Sequence, residues 1–326
     1  MPKIIECVPN FSEGRDSSLI EQIVEPLKNR PGFRLVSYEP DQDYNRTVVT
    51  LLGDGEAMIE PLSEFVDRAR LLIDLNHHTG QHPRMGAVDV IPFIPIAEAT
   101  VEECVGLAER LGALVSERFD IPVFLYALAA KKPERVALPN IRKGEFEGMK
   151  DKIRDPEWKP DFGRPEIHPT FGTVAIGCRI PLVAYNIDLE TADEKIAEKL
   201  SRVIRQSSGG FQHIQAGPAF LAARGHVQVT MNILDYKKNP VYRIWETIRM
   251  EAKRFHVEVP SCEIVGLMPK EALLDSLRYY FAVDGRPFSA TMPIETAVQE
   301  GIRYLRFRDF DATKIIESHL LPEENQ

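Results

Sequence analysis

Apolar positions fall into short continuous runs separated by stretches in which they recur every three or four residues, which predicts alternating strands and helices. Lys3 to Val8 reads as a strand, Asn10 to Arg15 as a turn-rich loop, and Asp16 is placed to cap a helix running to about Asn29. Phe33 to Tyr38 and Arg46 to Leu52 read as strands joined by a polar connection. Asp54 then opens a long helix with Met58, Leu62, Phe65, Val66, Ala69, Leu72 and Ile73 on one stripe. A polar loop and the apolar run from Val88 to Pro95 complete the order β-α-β-β-α-β. Thr100-Val101-Glu102-Glu103 has the form of a capping box for a helix to about Phe119, and Ile121 to Tyr126 is a further strand.

Regularity fails from about Ala130 to Gly172, where prolines recur, although Ile141 to Met149 suits a short helix. Thr173 to Gly177 is a short strand, and a second cycle follows. Leu182 to Asp188 is a strand, and Thr191-Ala192-Asp193-Glu194 reads as another capping box, before a helix burying Ile196, Leu200, Val203 and Ile204. Ala219 to Ala223 and His226 to Leu234 suggest a hairpin. Pro240 starts a helix bearing Val241, Ile244, Trp245, Ile248, Ala252 and Phe255, Val257 to Leu267 contains a strand, and Pro269 suits the first turn of another helix. The order is again β-α-β-β-α-β, with no residue-level repeat between the halves. The expected fold is therefore α+β: two split β-α-β subdomains, residues 1–179 and 180–326, each a sheet with helices on one face. Turning the two bare faces towards each other would protect them and leave a cleft for a small ligand.

Composition narrows the class. A chain of 326 residues with 44% hydrophobic and 27% charged residues is ordinary for a globular protein of two domains. No stretch is apolar enough to span a membrane, and the N-terminus lacks the apolar core of a signal peptide. Cys7, Cys104, Cys178 and Cys262 are scattered without a C-x-x-C pair, which fits reduced thiols and a cytoplasmic location. A net charge of −9 argues against a general nucleic-acid binder. The tail after Leu321 is expected to fray.

The chemistry concentrates between Asp74 and Pro95, where three of the eight histidines lie within six positions. Three readings stand open from the residues. His77, His78 and His82 suit a zinc site only if a helix puts His78 and His82 on one face, which Gly80 and Pro83 oppose. A loop histidine is also suited to general acid/base work, with Arg84 nearby for an anion. The third reading is an ordinary surface loop.

Glu6-Cys7-Val8-Pro9-Asn10-Phe11-Ser12-Glu13-Gly14, Asn45-Arg46-Thr47-Val48, His82-Pro83-Arg84-Met85-Gly86-Ala87-Val88-Asp89 and Trp158-Lys159-Pro160-Asp161-Phe162-Gly163 together resemble the glutamate formimidoyltransferase family, and the resemblance covers essentially the whole chain. It implies transfer of a formimidoyl group from N-formimidoyl-L-glutamate to N5 of tetrahydrofolate, a step of histidine breakdown, with folate held between two subdomains. The stand-alone form is expected, without the cyclodeaminase found in some relatives. His82 is the residue the resemblance makes catalytic. One imidazole suffices to take a proton from the attacking nitrogen and return it to the departing one. The acidic residue usual at the end of the second strand is taken as Glu39, over Asp41 and Asp43, to support it.

Arg84 and Arg46 are candidates to bind substrate carboxylates. The folate-binding stretch aligns with Gly163, Arg164, Pro165, Glu166, Ile167, His168, Pro169, Thr170, Phe171 and Gly172, with Phe171 offering a stacking face. Tetrahydrofolate enters as co-substrate, no metal is expected, and the partners are small molecules, with a homodimer allowed for, and neither nucleic acid nor membrane. The rivals are a 5-formyltetrahydrofolate-handling formyltransferase of the same family, a metal-dependent hydrolase, and a folate-binding module without activity.

Overall fold

A computed structural model describes residues 3–221 and 224–320. Ala222 and Ala223, which close the first strand of the expected hairpin, and the tail from Leu321 lie outside the described residues. The chain divides into two units, residues 1–180 and 181–326.

The first unit runs β1 (Ile4–Cys7), β2 (Asn10–Phe11), α1 (Ser17–Val24), β3 (Phe33–Asp41), β4 (Arg46–Gly53), α2 (Gly55–Leu72), β5 (Val88–Ala97), α3 (Val101–Phe119), β6 (Val123–Ala127), α4 (Leu138–Arg142), α5 (Glu145–Lys152) and β7 (Val174–Cys178). Its described strands form one seven-stranded sheet. β3 pairs with β4, and β1 and β2 lie between β4 and β5 as one interrupted strand. β7 and β6 extend the sheet in parallel beyond β5. The expected loop after Val8 is thus partly strand, because Asn10 and Phe11 still pair with β4 and β5.

One sheet face, with Ile5, Cys7, Val49, Leu51, Ile91, Phe93, Leu125 and Ile176, packs on α1, α2 and α3. Asp16 caps α1 and Thr100 closes a capping box with Glu103 on α3. α1 stops at Val24, earlier than expected, and Glu25–Leu27 continues as a 3-10 turn containing Pro26. On the opposite face Val90, Phe124, Tyr126 and Ala175 meet Met85, Ile141, Met149 and Ile153. The proline-spaced stretch therefore covers part of the face that the helices leave bare. Asp161 anchors it: its Oδ2 accepts from Leu125 N at 2.8 Å and from buried Arg135 Nη1 at 2.6 Å.

The second unit runs β8 (Val183–Leu189), α6 (Glu194–Ile204), β9 (Ile214–Leu221), β10 (His226–Ile233), α7 (Val241–Ala252), β11 (Cys262–Val265), α8 (Lys270–Val283) and α9 (Ile294–Leu305). Its sheet order β9-β10-β8-β11 repeats the order β3-β4-β1-β5 of the first unit. Two expectations fail in detail. The cap of α6 is Asp193, which accepts from Lys195 N, while Thr191 Oγ1 accepts from Asp193 N, so Thr191 and Glu194 form no box. Val203 is exposed rather than buried, since α6 packs only a narrow stripe on its sheet. No helix among the described residues is long and apolar enough to cross a membrane.

Candidate active site

The loop between α2 and β5 has no regular structure, yet its backbone is tied down on three sides. His82 N donates to Tyr44 O at 3.3 Å. Leu75 N donates to Thr170 O at 2.9 Å, and Ala87 N to Phe171 O at 2.8 Å. Thr173 N donates to Met85 O at 2.9 Å. Close backbone approach is what the glycines permit: a Cβ on Gly86 would stand 1.9 Å from Thr173 O. The expected folate stretch and the histidine loop are therefore joined, Gly86 bridging Gly172 directly. Asn45 is a third anchor, held at φ 50°, with its side chain accepting from Gly14 N at 3.0 Å and donating to Thr79 O at 2.8 Å.

The three histidines have different surroundings. His77 is a surface residue, its side chain 86% exposed. His78 Nε2 lies 3.0 Å from Asn45 O and its Nδ1 accepts from Arg84 Nε at 3.3 Å, which makes it a neutral structural imidazole. His82 is 4% exposed, and its Nε2 lies 3.7 Å from Asp89 Oδ2. Among the described residues no group of three or more histidine, cysteine or acidic side chains is placed to hold a metal ion.

Asp89, on β5, is fully buried. Its Oδ1 accepts from Met85 N at 2.9 Å and its Oδ2 from Arg142 Nε at 2.8 Å, Arg142 ending α4. Burial pushes the Asp89 carboxyl up, but Arg142, the His82 imidazole and the Met85 N–H outweigh it and hold it well below the usual range. Burial pushes the His82 imidazolium pKa below the ordinary value. Asp89 pulls it back in part, while Arg142 and Arg46 add to the lowering. The result is a neutral imidazole at neutral pH beside an ionised carboxylate.

The two candidate arginines divide. Arg84 donates to Glu145 at 2.9 Å and to Glu147 at 2.8 Å, both on α5, so its charge is already neutralised. These bonds fasten α5 to the loop. Arg46 has no carboxylate partner among the described residues. Its guanidinium lies 5.0 Å from the Tyr44 ring centroid, and its Nε is buried and unpartnered.

Glu39 is half-buried on β3 opposite Val48 of β4, whereas the carboxylate that stands beside His82 is Asp89. In the Gly163–Gly172 stretch, Gly163, Arg164, Pro165 and Glu166 are exposed, Arg164 pairing with Asp120. Ile167, Thr170 and His168 are half-buried, Pro169 is exposed, and His168 Nδ1 accepts from Phe171 N at 3.1 Å, a local turn bond. Phe171 is 0% exposed inside the first core, so the stacking face expected of it does not exist. Asp89 and Arg142 carry no role in the sequence reading. A charged residue inside the apolar run Val88 to Pro95 was the signal for the first; for the second, in an irregular stretch, there was none.

The family of this scaffold is shown by comparison with known proteins. Residues 4–179 match the formiminotransferase domain, N-terminal subdomain, and residues 184–320 match the formiminotransferase domain. The chain is 43% identical over 284 residues to a glutamate formimidoyltransferase of Streptococcus pyogenes, covering 87% of this chain and 95% of that protein. It is 40% identical to a glutamate formimidoyltransferase of Thermoplasma acidophilum, covering 86% of this chain and 93% of that one. The formimidoyltransferase-cyclodeaminase of Gallus gallus is 38% identical, with 86% of this chain matched to 53% of its length. With both units matched in order along nearly their full length, the chain belongs to the formiminotransferase family.

Proposed function

We propose that the protein is a glutamate formimidoyltransferase, moving the formimidoyl group of N-formimidoyl-L-glutamate to N5 of tetrahydrofolate and releasing L-glutamate. N5 attacks the amidine carbon, a C–N5 bond forms, and the bond from that carbon to the glutamate nitrogen breaks. His82 takes the proton that N5 gives up and returns it to the departing nitrogen, so no net proton is consumed. The observation that carries this reading is a buried imidazole that is neutral at neutral pH, next to an ionised carboxylate, on a rigid loop. Arg46, with no anionic partner among the described residues, is the anchor for a substrate carboxylate, worth about 1.5–3 kcal/mol for a charged hydrogen bond. Tetrahydrofolate lies along the exposed and half-buried part of Gly163 to Gly172, where backbone rather than Phe171 meets the ring.

The test is a purified-protein assay offering N-formimidoyl-L-glutamate and 5-formyltetrahydrofolate as alternative donors. Glutamate release dependent on tetrahydrofolate is expected with the first. Turnover with the formyl donor alone would overturn the assignment in favour of the formyl-handling rival.

A further inference from the structure

We propose that Asp89 and Arg142 are positioning residues for His82: Asp89, clamped by Arg142, takes the Nε2–H of the imidazole, and the proton shuttle runs through Nδ1. The inference rests on the reading of His82 as the acid/base and names the nitrogen and the supports it uses.

The geometry is asymmetric about the ring. Nε2 is buried and has no hydrogen-bond partner among the described residues, with Asp89 Oδ2 at 3.7 Å. An N–H left unpaired there costs about 1–3 kcal/mol, and a shift of several tenths of an ångström removes that cost. Hydrogen bonds of this kind are commonly long in the unliganded site and close when substrate binds. Nδ1 makes no hydrogen bond among the described residues and is absent from the buried unpartnered atoms, so it is the nitrogen left open to a reactant.

Asp89 is fitted to hold the ring in that tautomer. Its remaining acceptor capacity is used by Met85 N and by Arg142, both donors, so the carboxylate presents only acceptor character to Nε2. Met85 lies three residues from His82, so the same carboxylate also sets the backbone of the loop. Arg142 and Arg46 oppose the imidazolium and Asp89 favours it. During transfer Nδ1 accepts the proton leaving N5, the imidazolium stands with Nε2–H against the Asp89 carboxylate, and Nδ1 then delivers the same proton to the glutamate nitrogen. Arg142 comes from the proline-spaced stretch, which gives that irregular segment a direct part in the site.

The experiment uses the full chain labelled with ¹⁵N-histidine, with His82→Gln assigning the ring signals by their loss. In the unsubstituted protein the His82 pair should show a protonated Nε2 and an unprotonated Nδ1. Asp89→Asn places an amide where only acceptors stood, so the tautomer should invert or mix. Turnover should then fall by about 10²–10⁴-fold while KM for both substrates stays within about threefold. Arg142→Met keeps the Met85 bond and should give a smaller loss of turnover, which covers the case in which Asp89→Asn does not fold. A protonated Nδ1 in the unsubstituted protein, or near-normal turnover in either variant, overturns the proposal. Absence of transfer with every donor would refute the functional reading instead, and the tautomer would still decide the positioning.

Discussion

Gly172 and Met85 are in backbone contact: a Cβ on Gly172 would lie 2.2 Å from Met85 O, and Gly172 itself sits at φ 84°. Two independent penalties therefore oppose any side chain at this position, the left-handed backbone and the clash with a carbonyl that cannot rotate away. Gly172→Ala should lower stability by roughly 2–4 kcal/mol, since a strained φ alone costs about 1–3 kcal/mol. It should also reduce turnover, because Met85 is three residues from His82. Denaturant unfolding reads the first effect, and a variant as stable as the parent would contradict the contact.

Arg46→Ala should raise KM for the anionic donor by about 10–100-fold, the equivalent of one charged hydrogen bond, with a smaller effect on turnover. Arg46→Lys should restore only part, because an ammonium lacks the planar fork that matches a carboxylate. Steady-state kinetics decide; an unchanged KM in Arg46→Ala would remove Arg46 from the site.

Arg84→Ala should behave differently. Its partners Glu145 and Glu147 are well exposed, so solvent screens the pairs and the expected loss is about 1–2 kcal/mol of stability. KM should stay within about twofold. A large rise in KM with unchanged stability would return Arg84 to the role of carboxylate anchor.

The acid limb of kcat/KM should fall below the ordinary imidazole value of about 6.5. The reaction needs the neutral base, and burial together with Arg142 and Arg46 holds the His82 pKa down. Activity is then kept as pH drops to the ordinary imidazole value and is lost only below it. A pH–rate profile with its limb above 6.5 would be incompatible with this environment.

Glu6 makes a stability prediction. It is buried in β1 opposite Leu52 and Ile94, and burial pushes its carboxyl up to about 7, with Arg179 opposing. The folded state holds this proton more tightly than the unfolded one, whose glutamate titrates near 4.3, so stability falls as pH rises through about 4.3 to 7. The loss is of order 3 kcal/mol. Glu6→Gln should raise Tm at pH 8 and leave it nearly unchanged at pH 4. Equal shifts at both pH values would show that Glu6 does not titrate in this window.

The element order of both units was legible because it rests on local periodicity: α2 and α7 carry their apolar stripes where the 3.6-residue spacing puts them. His82 was legible through a motif whose residues are adjacent in the chain. What adjacency does not encode is not legible in the sequence. Phe171 looks like a free aromatic until Leu75, Ala87 and the first core close over it. Arg84 and Arg46 are equivalent in the sequence, and only the arrival of α5 with Glu145 and Glu147 neutralises one and leaves the other without a carboxylate partner among the described residues. Glu39 is marked in the sequence only by its place at a strand end, whereas Asp89 stands beside His82 because β5 leads straight out of the loop.

The sequence alone thus determined the two β-α-β-β-α-β cycles and the catalytic candidate, since propensity, patterning and capping act over a few residues. Tertiary structure alone decided which charges meet: Asp89 with Arg142 and Arg135 with Asp161 are 53 and 26 residues apart. Pairing over such separations depends on how sheet and insert close in space, and no local pattern in the chain records it.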